Sequence, residues 1–358
     1  MPREIIDLVN NVDNELSASI VDRIVDLKNY RDFAMRGRQS LNPLTKFGFV
    51  FVDDNILKIT ELGLKLIASE KDHGDVFLKS FIKWQIPNPA SDDFANNGDY
   101  GVVPFVATLK LISEVNILEA ERGIKPVGIS KREFSLFFPT LVKYTDISRF
   151  ANEIIKLRDS QKNKTKQERK TIRDSYRKNF ATNFLGTREQ AKIDKLLTNL
   201  RDYGDNAIRY FRLTKFIRIR GRGFYVDLES NRHTEIEALF ESEFYKPKIF
   251  ANRNDYLNHM SNDRLPKLPW QAKDKLVEIA TEISSEIKTL RQNLGQSTQE
   301  VRSLEPMTED ELTKYIYNLR EVRIELQEKI IVLNHNPLNQ LQSILINLRI
   351  SLSLKTVL

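Results

Sequence analysis

Apolar residues near the start of the chain recur at intervals of three and four positions, which predicts an amphipathic helix. The residues concerned are Ile5, Leu8, Val12, Leu16, Ile20, Ile24 and Leu27. Apolar runs then flank an Asp-Asp-Asn turn within residues 47–60, as expected for two short strands, and Thr60 can cap a helix over 61–67. Helices, a two-stranded wing and a further helix follow one another in a winged-helix domain. We therefore predict a first winged-helix-like subdomain over residues 1–90.

A second unit repeats this order with a longer, basic insertion. Residues 91–101 belong to a stretch rich in Pro, Asn, Asp and Gly, which predicts a linker. An apolar helix is predicted from Pro104, and Ser130 followed by Glu133 has the spacing of a capping box that begins a helix. Basic helical sequence, an arginine-rich hairpin and a closing helix follow. These features predict a second winged-helix-like subdomain over residues 102–250.

The last part of the chain, residues 265–358, has near-heptad apolar spacing that predicts three amphipathic helices. The three stripes are Leu276, Ile279, Ile283, Ile287, Leu290 and Leu294; Leu312, Tyr315, Leu319, Val322, Leu326, Ile330 and Leu333; and Leu338, Leu341, Leu345, Leu348 and Leu352. The predicted fold is therefore mainly α-helical with small β-hairpin wings, in which tandem winged-helix subdomains are followed by a helical linker domain.

The hairpin within residues 213–226 is the segment that most directly indicates a ligand. Because side chains alternate along a strand, Arg218 and Arg220 are expected on one face, with Arg222 at a tip flanked by two glycines. Guanidinium groups bind phosphate in a bidentate manner and also recognise guanine edges, so an exposed arginine fork suits nucleic acid. The alternative is an ordinary hairpin whose charges are solvated and protect a sheet edge.

Charge is unevenly distributed along the chain. Residues 151–220 contain 19 Lys and Arg against 8 Asp and Glu, whereas residues 1–100 contain 12 against 16. A local excess of positive charge is typical of a nucleic-acid-binding surface, although a solvated helix face has the same composition. The densest run, residues 162–173, has few apolar residues and is expected to be exposed in either case.

Composition excludes several kinds of chemistry. The chain has no cysteine, which excludes disulfides and cysteine-based metal or nucleophile sites. Its four histidines are scattered, and Glu286 and Lys288 lie in predicted helix, where a spacing of two residues separates their side chains. With no apolar run long enough to cross a bilayer and no signal peptide, we expect a cytoplasmic protein without membrane contact. The sequence therefore offers binding residues and no recognisable catalytic residues.

Several short motifs, occurring in the right order, resemble the AlwI-type type IIS restriction endonucleases, the family that includes MlyI, PleI and related nicking endonucleases. They are Phe47-Gly-Phe-Val-Phe-Val-Asp, Leu57-Lys-Ile-Thr-Glu-Leu-Gly, Asp75-Val-Phe-Leu-Lys, Lys83-Trp-Gln, Ile129-Ser-Lys-Arg-Glu-Phe-Ser-Leu-Phe and Arg209-Tyr-Phe-Arg-Leu-Thr. The likeness continues more weakly through the helices near residues 312–333.

The resemblance implies a recognition module of winged-helix-like subdomains, a helical linker and a C-terminal magnesium-dependent nuclease domain of the PD-(D/E)xK type. This nuclease domain has no counterpart in the 358 residues, so the resemblance implies recognition and leaves enzymatic activity open. No cofactor is expected for this chain, and magnesium is expected only for the nuclease domain. The expected partners are double-stranded DNA and a separate nuclease domain or subunit.

Basic residues near the predicted wings and helix starts are the expected DNA contacts. In the second unit they are Lys131, Arg132, Arg209, Arg212, Lys215, Arg218, Arg220 and Arg222, and in the first unit Arg36, Arg38, Lys46 and Lys58. Of these, Arg218, Arg220 and Arg222 are expected to enter a DNA groove, whereas Arg36 and Arg38 could equally belong to a solvated loop. A dimeric winged-helix regulator or replication initiator, which reads a palindrome, is the alternative to a restriction module with an asymmetric site.

Overall fold

A computed structural model of the chain describes residues 15–17, 41–53, 56–68, 73–90, 99–297 and 303–335. The chain divides into two compact units, Met1–Lys267 and Leu268–Leu358. Both are mainly helical in the described residues, and two small antiparallel sheets lie in the first unit. The finer boundaries expected at residues 90, 101 and 250 stay predictions.

The first sheet contains β1 (Glu15–Ser17), β2 (Val50–Asp53) and β3 (Ile56–Ile59), in the order β1-β3-β2. The prediction that Leu16 lies in a helix is wrong, because β1 pairs with β3 and Leu16 lies opposite Leu57. Pairing with a distant strand satisfies the backbone groups of β1 and overrides the local apolar period. The rest of the predicted helix over residues 5–27 lies outside the described residues.

Two short helices complete the first part of this unit, α1 (Glu61–Ala68) and α2 (Gly74–Phe81). The predicted cap at Thr60 is confirmed, since its hydroxyl accepts a hydrogen bond from the Gly63 amide at 3.0 Å. Phe49, Leu62 and Val76 form the buried cluster that holds β2 against both helices. Packing of an apolar helix face against the sheet is the main stabilising contribution here.

The second sheet has the same strand order as the first. It contains β4 (Ile129–Ser130), β5 (Ile217–Arg220) and β6 (Tyr225–Leu228), arranged β4-β6-β5. Gly128, with φ +78°, allows β4 to approach β6, because a Cβ atom there would lie 2.2 Å from the Val226 carbonyl oxygen. The glycine therefore sets the first turn of the β4–β6 pair.

Helices surround the second sheet and separate its first strand from its hairpin. They are α3 (Pro104–Glu121), α4 (Lys131–Phe137), α5 (Ile147–Ser160), α6 (Lys166–Leu185), α7 (Gln190–Phe211), α8 (His233–Glu241) and α9 (Arg253–Ser261). The predicted helices that begin at Pro104 and Lys131 and the one around Glu235 are confirmed. Close contact between α7 and α4 requires Gly204, where a Cβ atom would lie 2.7 Å from the Ser135 Cα.

The second unit contains α10 (Lys273–Asn293) and α11 (Glu309–His335), which pack against each other. Two of the predicted stripes supply buried residues, among them Leu276, Ile283 and Leu312. The third stripe, residues 338–352, lies outside the described residues. No helix in the described part of the chain is long and apolar enough to cross a membrane.

Candidate nucleic-acid interface

The tip of the second hairpin presents one arginine to solvent. Gly221, Arg222 and Gly223 all have left-handed backbone conformations, with φ values of 57°, 55° and 91°. Glycine adopts this conformation readily, and Arg222 adopts it as the central residue of the turn between the two glycines. The Arg222 side chain is exposed, as predicted.

The other two hairpin arginines are not an open fork. Arg220 donates a hydrogen bond to the Asp227 carboxylate at 2.5 Å, and Arg218 lies 4.0 Å from the same carboxylate. Asp227 is only 3 % exposed and also accepts a hydrogen bond from Asn116 at 2.9 Å. Each arginine is about one third exposed. The expectation of two free groove-reading arginines on β5 is therefore corrected, because a buried carboxylate on the paired strand holds both.

Lys131 and Arg132 form the first turn of α4 beside the hairpin tip. The predicted capping box is confirmed: the Ser130 hydroxyl accepts from the Glu133 amide at 3.2 Å and the Glu133 carboxylate accepts from the Ser130 amide at 2.6 Å. The Lys131 amide donates to the Phe224 carbonyl oxygen at 2.9 Å, so the helix start and the hairpin tip are adjacent. These backbone amides are therefore engaged within the protein, and the positive charge at this place comes from the side chains of Lys131 and Arg132.

Arg158 of α5 forms ion pairs with residues of α3 and α4 beneath this surface. It donates hydrogen bonds to the buried carboxylates of Glu133, at 2.9 Å and 3.0 Å, and of Glu119, at 3.2 Å, and to the Gly128 carbonyl oxygen at 2.8 Å. Burial would lower the pKa of the Arg158 guanidinium, but the hydrogen bonds and charges of the two carboxylates raise it above its ordinary value. This arginine is therefore a structural group whose charge is already matched.

A groove of about 1070 Å³ opens between the hairpin tip, the start of α4 and helix α6. Its lining contains ten Lys and Arg residues and four Asp and Glu residues. Three of the four acids are paired inside the protein, Glu119 and Glu133 with Arg158 and Asp159 with Arg122. The groove is therefore strongly basic and attracts a polyanion.

Most of the basic residues that line this groove were not among the predicted contacts. They are Arg122, Lys125, Arg158, Lys162, Lys166, Arg169, Lys170, Arg173 and Arg177, whereas Arg132 was predicted. The basic run over residues 162–173 indicated exposed charge, but composition alone does not tell which way a helix faces. A spacing of three and four residues between Lys166, Lys170, Arg173 and Arg177 was the usable signal, since it places them on one helix face.

The remaining basic residues that were predicted to contact DNA, and that the structure describes, do not line this groove; they lie at the end of α7, before β5, and in or near the first sheet. Arg209 lies in the last turn of α7, Arg212 in the short 3₁₀ turn that follows, and Lys215 has φ 60° just before β5; all three are exposed. Lys46, exposed, ends the helical residues 41–46, and Lys58 lies half-buried in β3. Arg36 and Arg38 lie outside the described residues.

Helix α7 has a long polar surface that the sequence prediction did not single out. Its buried side carries Ile193, Leu200 and Ile208, and the opposite side presents residues such as Asn206 and Arg209 to solvent. Tyr203, beside them, is 57 % exposed. Exposed amide, guanidinium and aromatic groups on one helix are suited to contacts with base edges.

The end of α7 also joins the two sheets. The ring of Tyr210 packs edge-on against Phe47, which precedes β2, with ring centroids 5.0 Å apart. Phe211 packs in the same way against Phe81 of α2, at 5.4 Å. The first and second sheets are thus held by one aromatic cluster within the same unit.

In the part of the chain that the structure describes, no group of three or more His, Cys, Asp or Glu side chains could hold a metal ion. The Glu286 and Lys288 pair is confirmed to lie within helix, and Glu286 accepts a hydrogen bond from the buried Arg323 at 3.1 Å. Glu286 thus has a structural role in the pairing of α10 and α11.

Comparison with known proteins identifies a family that this chain resembles over most of its length. The sequence model of a family described as "AlwI restriction endonuclease" matches residues 45–353. No curated protein matches the chain. Among solved structures, the "BpuJ1 endonuclease binding domain" in complex with pyrene- and phenanthrene-modified DNA is 14 % identical, with a TM-score of 0.46, and the match covers 72 % of this chain and 90 % of that one. At that TM-score only the family match bears on function.

Proposed function

We propose that this chain, which belongs to the AlwI restriction endonuclease family, reads a short asymmetric DNA site with two winged-helix subdomains. It provides sequence-specific DNA recognition for a restriction enzyme. In this proposal the module is of type IIS, so that recognition and cleavage occur at separate places on the DNA. The observation that carries the proposal is a strand order found twice in the first unit.

Both sheets place a short first strand beside the third, with the second strand at the far edge. In a winged helix, the first strand follows the first helix, and the later two strands form the wing beside a helix-turn-helix. The second sheet supports this arrangement in detail: α3 precedes β4, α4 follows it, and α7 leads directly into the β5–β6 hairpin. In the first sheet, the helical residues 41–46 lead into β2 in the same way.

Helix α7 then occupies the position of the recognition helix. Its contact with α4 at Gly204 corresponds to the helix pair of a helix-turn-helix, and its opposite side is free for the major groove. Asn206 and Arg209 are our candidates for base contacts, because Asn pairs with adenine and Arg with guanine through two hydrogen bonds each. Each good bidentate pair contributes about 1–3 kcal/mol of discrimination.

The wing contributes in a different way from the one expected. Arg222 at the exposed tip is free to reach a groove or a phosphate. Arg218 and Arg220, held by Asp227, instead stiffen the hairpin that carries it. We propose that binding needs no cofactor and that magnesium serves only a nuclease domain or subunit that acts with this chain.

Selection of bound sequences from a randomised duplex library, in the presence of EDTA, tests the proposal. We expect one asymmetric consensus, and we expect Asn206→Ala and Arg209→Ala each to relax preference at particular positions of it. Lys178→Ala, exposed on α6, is the control and should leave the consensus intact. A palindromic consensus bound by a dimer would favour a regulator instead, and the absence of any consensus would refute sequence-specific recognition.

A further inference from the structure

We propose that the groove between α6 and the hairpin tip holds the sugar–phosphate backbone of the bound duplex, so that α6 is a phosphate clamp with no sequence preference of its own. The inference rests on the proposed function and assigns a distinct task to an element that the recognition of bases does not use. It separates the source of affinity from the source of specificity.

The first argument is the position of α6. Residues 18–49 lie between β1 and β2 in the first sheet, whereas the much longer segment 131–216 lies between β4 and β5 in the second. Helices α5 and α6 are the extra part of that segment. A winged helix needs only α4 and α7 at this place, so α6 is an addition whose function is not explained by the recognition of bases.

The second argument is charge that has no internal partner. Within the described residues, Lys125, Arg132, Lys166, Lys170 and Arg177 line the groove without an ion pair to any carboxylate. The groove acids are mostly engaged by Arg158 and Arg122, so they do not cancel this charge. Concentrated unpaired cations repel one another, and a polyanion in the groove would relieve that repulsion.

The third argument is the match in length between the cation row and a DNA strand. Lys166, Lys170, Arg173 and Arg177 lie at i, i+4, i+7 and i+11, which places them on one face of α6. Eleven residues of α-helix span about 16 Å. Consecutive charges of one DNA strand rise about 3.4 Å along the axis and also wind around it, so this straight row can follow the strand over about two or three phosphates.

The wall of the groove opposite α6 is suited to the same ligand. It includes Arg132 in the first turn of α4 and the exposed ring of Phe224 at the hairpin tip. The Arg132 guanidinium can pair with a phosphate, and the ring can lie against a sugar. A backbone that enters here would pass directly beside the wing, where the proposed recognition already places the duplex.

Salt dependence of binding tests the clamp. The double variant Lys166→Gln/Lys170→Gln removes two exposed groove cations, and Lys156→Gln/Lys178→Gln removes two exposed cations outside the groove from neighbouring helices. Binding of the full chain to its selected site and to an unrelated duplex would be measured by fluorescence anisotropy at several salt concentrations. Melting temperatures of both variants would confirm that each is folded.

We expect the groove variant to reduce the slope of log K against log salt by about 1.8, since each phosphate contact contributes about 0.9. The affinity for both duplexes should fall by the same factor, and the control variant should keep the wild-type slope. A slope equal to that of the control would overturn the clamp. A loss confined to the selected site would also overturn it, because α6 would then read bases.

The two proposals fail in different ways. If the wild-type chain selects no consensus, the proposed recognition function fails, whatever the groove variant does. If it selects a consensus and the groove variant keeps the wild-type slope, recognition stands and only the phosphate clamp is refuted.

Discussion

Replacing Arg158 with alanine is expected to destabilise the first unit strongly, because it leaves two carboxylates without their cation. Glu119 and Glu133 are 4 % and 9 % exposed, and Arg158 provides the ion pairs of both. Removing one partner of a buried ion pair costs about 3–5 kcal/mol. Since a fifth of the Arg158 side chain reaches solvent, we expect the lower end, about 3 kcal/mol.

Arg122→Ala is the matched control. Arg122 lies in the same groove and pairs with Asp159, but both side chains are substantially exposed, 32 % and 48 %. Exposed ion pairs contribute less than about 1 kcal/mol. The two arginine variants remove the same charge, but Arg158→Ala leaves two buried carboxylates and a carbonyl oxygen without their donor, whereas Arg122→Ala leaves one exposed carboxylate.

Urea denaturation followed by tryptophan fluorescence measures the difference. The chain has two tryptophans, Trp84 in the first unit and Trp270 in the second, so a Trp270→Phe background reports on the first unit alone. A loss of about 3 kcal/mol corresponds to a fall of roughly 6–12 °C in melting temperature for a unit of this size. If Arg158→Ala lost no more stability than Arg122→Ala, the structural role assigned to Arg158 would be refuted.

Three further outcomes are expected. Leu62→Ala should cost about 2–5 kcal/mol because Leu62 is fully buried, whereas Leu64→Ala, at a position 41 % exposed, should cost far less; urea titration compares them. Arg220→Ala should lower the melting temperature more than Arg222→Ala, because only Arg220 pairs with a buried carboxylate. Burial and neighbouring lysine charges lower the pKa of His259 from 6.5 to about 4, so its contribution to stability is complete above pH 6.5 and is lost as pH falls towards 4. His259→Gln should flatten stability across that window, and an unchanged pH profile would contradict this.

Local signals in the sequence were sufficient for several elements. The capping boxes and caps at Ser130 and Thr60 depend on residues at most three positions apart, so their geometry is set locally. The two hairpins are equally local, because strand alternation and the residues of the turn determine them, Asp-Asp-Asn in the first hairpin and Gly-Arg-Gly in the second. The predicted helix around Leu16 was wrong for the opposite reason, since a partner strand forty residues away decides that conformation.

The pairing of the arginines in the second hairpin could have been predicted in part. Once the turn at Gly221–Gly223 fixes the hairpin, Arg218 lies opposite Asp227 across the strands, and Arg220 is its diagonal neighbour. Both arginines therefore share a face with a carboxylate. Burial of that carboxylate is what makes the pair structural, and it depends on Asn116 of α3, which no local pattern indicates.

The basic groove could not be predicted because the direction of α6 is set by tertiary contacts. Phe180 packs edge-on against Phe137 and Phe150, with ring centroids 5.3 Å and 5.9 Å apart, and this holds the C-terminal half of α6 on the body of the unit. The N-terminal half then continues as a charged wall facing the hairpin tip. The same rigid helix thus uses aromatic residues at one end to fix the position of cations at the other. Replacing Phe180 with a smaller apolar residue should therefore alter the salt dependence of DNA binding, although the substitution changes no charge.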